Sequence, residues 1–127
     1  MTIKSLKTLI DEALSIVKTI SPEEALKKIN DNQCNLVDIR ETIELQKEGS
    51  IEESFHIPRG LLEFSINPES PYIKNEKFDL NKEIVLFCAA GGRSALAAKT
   101  LKDIGFEKVS HIAGGFNLMK SSGFKIK

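Results

Sequence analysis

The sequence predicts an α/β domain with a mainly parallel sheet flanked by helices. Short apolar runs of strand length alternate along the chain with segments of helical periodicity, the order that builds a parallel sheet through helical crossovers. The strongest run, Glu83-Ile84-Val85-Leu86-Phe87, continues into Cys88 without polar alternation, as expected of a central strand covered on both faces. At 127 residues the chain suits one domain. A chain of that length buries roughly two-thirds of its unfolded surface, enough for a core without disulfides.

Taken in order, residues 5–19 place Leu6, Leu9, Ile10, Ala13, Leu14 and Val17 on one helix face, expected to pack on the domain itself. The alternative for that face is a partner or a second copy. Ser21, Pro22 and Glu24 form a strong helix start, and the helix is expected to run to about Asn30. Asn35–Ile39 reads as a strand, Glu41–Lys47 as a helix ended by Gly49, Phe55–Ile57 as a short strand and Gly60–Ile66 as helical. Residues 67–82 contain Pro68 and Pro71 and read as loop. After the central strand come a turn at Ala89–Gly92, a helix over Ser94–Ile104 stopped by Gly105, and a strand at Lys108–Ile112. Gly114 and Gly115 then turn the chain into a last helix ending near Ser122. The expected division is an amphipathic helix, residues 1–20, packed on a domain of residues 21–127.

Composition narrows the function classes. Hydrophobic residues at 41% and charged residues at 28% are ordinary for a globular chain and argue against disorder. Lys+Arg and Asp+Glu are 18 each, so no basic excess draws nucleic acid or an acidic membrane surface. Two cysteines cannot make a disulfide framework, which points to reduced thiols and a cytoplasmic location. No apolar run approaches the ~18 residues of a membrane span. Asp11 and Glu12 interrupt the stretch that a secretory signal would need.

Ligands of open α/β sheets bind at the carboxyl ends of strands, and Cys88 stands there. Behind it comes Ala89-Ala90-Gly91-Gly92-Arg93-Ser94. Gly91 and Gly92 permit backbone angles that turn N–H groups towards one centre. The following helix adds the positive end of its dipole, and Arg93 adds a fixed charge. All three favour thiolate over thiol and suit an anionic substrate group beside the sulfur. Cys88 is thus the candidate nucleophile, and Ala89, Ala90, Gly91, Gly92, Arg93 and Ser94 the candidate substrate-binding residues. A buried structural cysteine and a merely bracing Arg93 are the bland alternatives. Ser94 is read first as the N-cap of the helix, with a hydroxyl contact to the sulfur as the alternative.

Over about residues 20–123 the chain resembles the single-domain rhodaneses. The resemblance rests on the loop Cys88 to Arg93, on Leu36-Val37-Asp38-Ile39-Arg40-Glu41, on Gly49-Ser50-Ile51 with Ser54-Phe55-His56-Ile57-Pro58, and on Gly114-Gly115-Phe116, in that family's order around the cysteine loop. It implies a rhodanese-like domain over residues 21–127, with a five-stranded parallel sheet, helices on both faces and an extra N-terminal helix. It also implies a sulfurtransferase. Sulfane sulfur would pass from thiosulfate or a persulfide to Cys88, and from that Cys88 persulfide to cyanide or a thiol, with no cofactor or metal. A protein sulfur acceptor is a further implied partner. The alternative is a persulfide-carrying or partner-binding module without small-molecule turnover. Phosphatases and arsenate reductases of this fold have one more residue in the loop; only four separate Cys88 from Arg93 here, which disfavours phosphate chemistry. Thiosulfate-specific relatives carry cations where Ala89 and Ala90 stand, and a tryptophan is usual where Met119 stands.

Other residues are weighed against simpler roles. Asp38, Arg40 and Glu41 follow a predicted strand and are expected to support the loop, as an Asp38–Arg40 brace and a helix-start or pocket carboxylate. Arg59 is divided between an anion-recruiting rim residue and a loop brace. His56 and His111 are read as structural hydrogen-bonding residues, since no ligand set for a metal accompanies them. Cys34 is read as inert, with a resolving thiol as the alternative. A pre-formed thiolate needs no general base.

Overall fold

The structure, a computed structural model, describes residues 2–127 apart from the side chain of Asn75. Its elements are α1 (Leu6–Ile16), β1 (Lys18–Ile20), α2 (Pro22–Asn30), β2 (Cys34–Asp38), α3 (Thr42–Glu48) and β3 (Phe55–His56). A 3-10 turn (Arg59–Leu61), α4 (Leu62–Ser65), α5 (Pro71–Asn75), β4 (Glu83–Phe87), α6 (Gly92–Ile104), β5 (Val109–Ile112) and α7 (Gly115–Met119) follow. The five strands form one sheet in the order β1-β5-β4-β2-β3, every pair parallel.

Side-chain alternation divides the core into two layers. Val37, Ile84, Leu86 and Cys88 join Ala97, Ala98 and Leu101 of α6 on one face. Leu36, Val85, Phe87 and Ile112 join Ala25 of α2 and Phe116 and Met119 of α7 on the other. Burial of β2 and β4 on both faces is why their sequences lack polar alternation. Each fully buried side chain of the Leu86 kind contributes about 1.5–3 kcal/mol. Met119, in the usual tryptophan position, is completely buried.

Register brings the site together. Asp38 is level with Phe87, and Leu86 with His111, so β2, β4 and β5 release their next residues at one edge of the sheet. Arg40, Cys88 and Gly114-Gly115 emerge there side by side.

Three sequence expectations are corrected. The first helix stops at Ile16, and Lys18–Ile20 is an edge strand on β5, so the sheet begins before residue 21. Two of its three residues are β-branched, which favours strand over a further helical turn. Residues 67–82 are not all loop, because Pro71 occupies the first turn of α5 and Ser70 Oγ accepts from the Tyr72 N–H. Ser21 and Pro22 do the same at α2, so the signal was present twice. The last helix ends at Met119 rather than Ser122. Among the described residues no helix is long and apolar enough to cross a membrane.

Candidate active site

Cys88 leaves the central strand and is only 1% exposed. Its sulfur accepts from the N–H of Gly91 at 3.1 Å and of Ser94 at 3.4 Å, and lies 3.6 Å from Ser94 Oγ. Two amides at the start of a 13-residue helix thus converge on one sulfur, an arrangement that stabilises negative charge there. Gly91 makes the turn possible: it has φ 115° and ψ −13°, a left-handed conformation that side-chain-bearing residues rarely adopt. Gly92 does not share that need, contrary to the sequence expectation. It is the first residue of α6, and a Cβ there would come within 3.2 Å of Ile10 Cδ1, so its missing side chain lets α1 lie against the loop. Ser94 is not the N-cap, a position taken by Gly91. It sits inside the first turn with its hydroxyl among Cys88, His111 and the Gly91 carbonyl.

The loop is held from behind by the chain after β5. The N–H of Phe116 donates to Cys88 O at 2.8 Å, and that of Asn117 to Ala89 O at 3.1 Å. Gly115, at φ 53°, permits the approach, because a Cβ would overlap Cys88 O and lie 2.9 Å from Ala89 C and O. Arg40 stacks on the Phe116 ring at 3.9 Å. It is itself fixed by Asp38, which accepts from Arg40 Nη2 at 2.8 Å and from its backbone N–H at 3.0 Å. Arg40 Nη2 also donates to Gly49 O, and His56 Nε2–H donates to the Arg40 carbonyl at 2.8 Å. Asp38 and Arg40 are both fully buried. The pair is therefore a brace under the loop rather than a group open to substrate.

Arg93 is engaged by a carboxylate. Its guanidinium makes a two-pronged ion pair with Glu44, at 2.8 and 2.9 Å. Glu44 also accepts from the Glu41 N–H at 2.8 Å, and so ties the start of α3 to the loop. Sequence reading singled out Glu41, but Glu41 is exposed and caps α3; the carboxylate that reaches the loop is Glu44, one helical turn later. The hydrogen bond from Arg93 is the main reason that the Glu44 carboxyl is held down to about 2. Arg59 is committed elsewhere, to Glu63 at 2.7 Å and Thr100 Oγ1 at 3.3 Å, and makes no hydrogen bond to residues 88–94. Ala89 is half-buried and Ala90 exposed, so the loop's outer wall is uncharged.

The Arg93–Glu44 pair gives a pH prediction. A carboxyl with folded value near 2 and ordinary value 4.5 adds stability that is complete above 4.5 and is lost as pH falls from there towards 2. Denaturation of wild type and Glu44→Gln is expected to show a constant gap from neutral pH down to about 4.5, closing below it. A gap that ignores pH would mean that the pair does not form in solution. Both side chains are partly exposed, so the gap is small.

Sequence reading also left out the surroundings of His111. Its Nδ1 is 3.0 Å from Ser94 Oγ and its Nε2 is 2.9 Å from Thr19 Oγ1. Beside it a cleft of about 410 Å³ runs between α1 and the loop, lined by Ile10, Leu14, Thr19, Ala90, Gly91 and His111 among others. Only the strand pairing of β1 with β5 reveals this neighbourhood. Cys34 lies far along β2 among apolar neighbours, where burial pushes its thiol up to about 11 and keeps it protonated.

The fold has relatives among known proteins. Residues 21–122 match the model of the "Rhodanese-like domain" family. A Bacillus subtilis protein named "Putative sulfur carrier protein YrkF" is 34% identical over 105 residues, 82% of this chain. The chain spans only about half, 51%, of that protein's length. A solved structure from Rhodopseudomonas palustris, of unknown function and described as a possible tyrosine phosphatase, superposes with TM-score 0.85 at 39% identity, covering 100% of this chain and 98% of its own. The polysulfide-sulfur transferase homodimer of Wolinella succinogenes superposes with TM-score 0.74 at 29% identity, covering 95% of this chain and 85% of its own.

Proposed function

Because the chain belongs to the rhodanese-like domain family, we propose that it is a sulfurtransferase in which Cys88 carries the sulfur. The observation behind this reading is the convergence of the Gly91 and Ser94 amides on the Cys88 sulfur at the head of α6. In the first half-reaction the thiolate attacks the terminal sulfur of the donor. The new S–S bond forms as the old one breaks, and the leaving group departs with the electron pair, as sulfite from thiosulfate or a thiolate from a persulfide. In the second, cyanide or a thiolate attacks the outer sulfur and Cys88 leaves as thiolate, giving thiocyanate or a new persulfide. The two amides stabilise the anionic sulfur at both ends of the cycle. A Cys88 only 1% exposed admits the terminal sulfur alone, which suits a linear sulfane chain.

Persulfide or polysulfide is the donor that this site favours. Thiosulfate is a dianion, and the loop's cation, Arg93, is neutralised by Glu44 while Ala89 and Ala90 offer none. Thiosulfate binding is therefore expected to be weak and salt-sensitive. Ala90→Lys places one solvated charge near the donor, worth about 0.5–1 kcal/mol, or roughly two- to five-fold, mainly in KM. Steady-state formation of thiocyanate from thiosulfate and cyanide, at low and high salt, tests this. Tight binding by wild type with no effect of the lysine would show that the amides suffice for thiosulfate.

Phosphatase chemistry is the competing reading raised by the Rhodopseudomonas relative. The loop's four residues between Cys88 and Arg93 speak against it, and so does an Arg93 whose charge is already paired with Glu44. No hydrolysis of an aryl phosphate is expected. A second reading, a carrier that serves only a protein acceptor, is favoured by the buried sulfur; stable persulfide without turnover on cyanide would select it. Two unpaired thiols suit a reducing compartment, so the proposal places the activity in the cytoplasm.

A further inference from the structure

The sulfur-transfer steps leave His111 unused. Its ring is 2% exposed on β5 and sits between two hydroxyls, Ser94 Oγ at 3.0 Å from Nδ1 and Thr19 Oγ1 at 2.9 Å from Nε2. Ser94 Oγ is 3.6 Å from Cys88 Sγ. The row thus starts at a buried sulfur and ends at Thr19, which is exposed on the edge strand. The geometry points to a proton relay, Cys88–Ser94–His111–Thr19, which carries the Cys88 proton to solvent and turns the Ser94 hydroxyl towards the thiolate. It rests on Cys88 being the nucleophile of the proposed function.

Proton accounting along the row closes. In the thiol state S–H donates to Ser94 Oγ, Ser94 O–H to His111 Nδ1, and His111 Nε2–H to Thr19 Oγ1. Ionisation breaks the S–H bond and makes a new O–H on Ser94, while the former Ser94 proton passes to Nδ1. Nε2 gives its proton to Thr19, whose own proton leaves to a solvent base. One proton has moved from Cys88 to solvent, no oxidation state has changed, and Ser94, neutral His111 and Thr19 are regenerated with every hydrogen bond reversed. Ser94 O–H now donates to the thiolate, a third donor beside the Gly91 and Ser94 amides. The other acceptor within reach of this hydroxyl is the Gly91 carbonyl at 3.2 Å, and a charged sulfur outcompetes a neutral carbonyl for it.

The surroundings keep the ring in the form that a relay requires. Ile10 and Leu14 of α1, Ala90–Gly92 of the loop, and Ala113 and Gly114 after β5 line the cleft beside it, and Leu86 is its neighbour across β4. None of these is charged. The titratable group facing His111 is Cys88, through Ser94, with the Arg93–Glu44 pair beyond the loop. Burial lowers the His111 pKa, which favours a neutral imidazole with one donating and one accepting nitrogen.

A histidine that only joins β1 to β5 would keep one tautomer throughout. Heteronuclear NMR of the imidazole nitrogens, followed against the ultraviolet absorbance of the thiolate, separates the two cases in the unaltered protein. The expected result is that the His111 proton moves from Nε2 to Nδ1 over the pH range in which Cys88 ionises, and that Cys88→Ser abolishes the move. A tautomer that does not change as Cys88 ionises would overturn the relay. Ser94→Ala and His111→Asn are each expected to lower the thiolate absorbance at neutral pH, and the double variant to lower it by no more than either. Additive losses would contradict a shared relay. If cyanide-labile persulfide forms while the tautomer stays fixed, the relay fails and sulfur transfer stands. If the tautomer switches but no persulfide forms, sulfur transfer fails and the relay stands.

Discussion

Cys88→Ser is expected to abolish sulfur transfer and leave the fold intact, whereas Cys34→Ser stays within a few-fold of wild type. Serine is close in volume to cysteine and can accept the same two amide hydrogen bonds, so the loop keeps its shape. Its hydroxyl is not ionised at neutral pH and cannot store sulfane sulfur, so the loss is of chemistry and not of structure. Cys34 is buried at the opposite end of β2, and burial pushes its thiol up to about 11, which leaves almost no thiolate to compete. Thiocyanate formation together with circular dichroism checks both variants. Equal loss in the two would favour a redox pair of cysteines over a single carrier.

The largest stability effect is expected from the brace under the loop. Asp38→Ala removes the carboxylate from a guanidinium that is itself fully buried. Arg40 would keep the Gly49 carbonyl and the Phe116 ring, while Glu48 is 3.7 Å away and half-exposed. Already Arg40 Nη1 is buried without a hydrogen-bond partner, so the guanidinium has little reserve. Breaking such a pair costs about 3–5 kcal/mol, a large part of a small domain's stability. Urea denaturation measures it. Asp38→Ala with Arg40→Met is expected to recover part of the loss, because the stranded charge is gone. A loss under about 1 kcal/mol for Asp38→Ala would class the pair with surface salt bridges. Loop function is expected to fall as well, since Arg40 supports Phe116, whose N–H holds the Cys88 carbonyl.

How much could be read from sequence follows from the range of each interaction. The Cys88 loop was legible because its parts are contiguous: a doubly buried strand, a glycine at a left-handed turn and a helix start lie within a few residues. The Asp38–Arg40 pair was legible for the same reason, being two residues apart at a strand end. Arg93 was legible as a charge but not as a paired one, since Glu44 lies 49 residues away and meets it only when α3 packs beside the loop. His111 reads from sequence as a structural hydrogen-bonding residue, but its partners, Ser94 and Thr19, stand on other elements and are not legible there. Thr19, 92 residues away, comes beside it only through the register of β1 on β5. That register could not be anticipated while Lys18–Ile20 was counted as helix, three residues being too short to outweigh the preceding helical pattern. Ser70 and Pro71 are different: their helix-start signal is local, but within residues 67–82 Pro68 and Pro71 read as loop.

The most direct test is intact mass spectrometry of the protein after incubation with a polysulfide or with thiosulfate, before and after cyanide. The expected result is one added sulfur atom, carried by the peptide that contains Cys88, removed by cyanide and absent from Cys88→Ser. No added sulfur with either donor, or sulfur that stays on the protein when Cys88 is replaced, would contradict a Cys88 persulfide as the carrier.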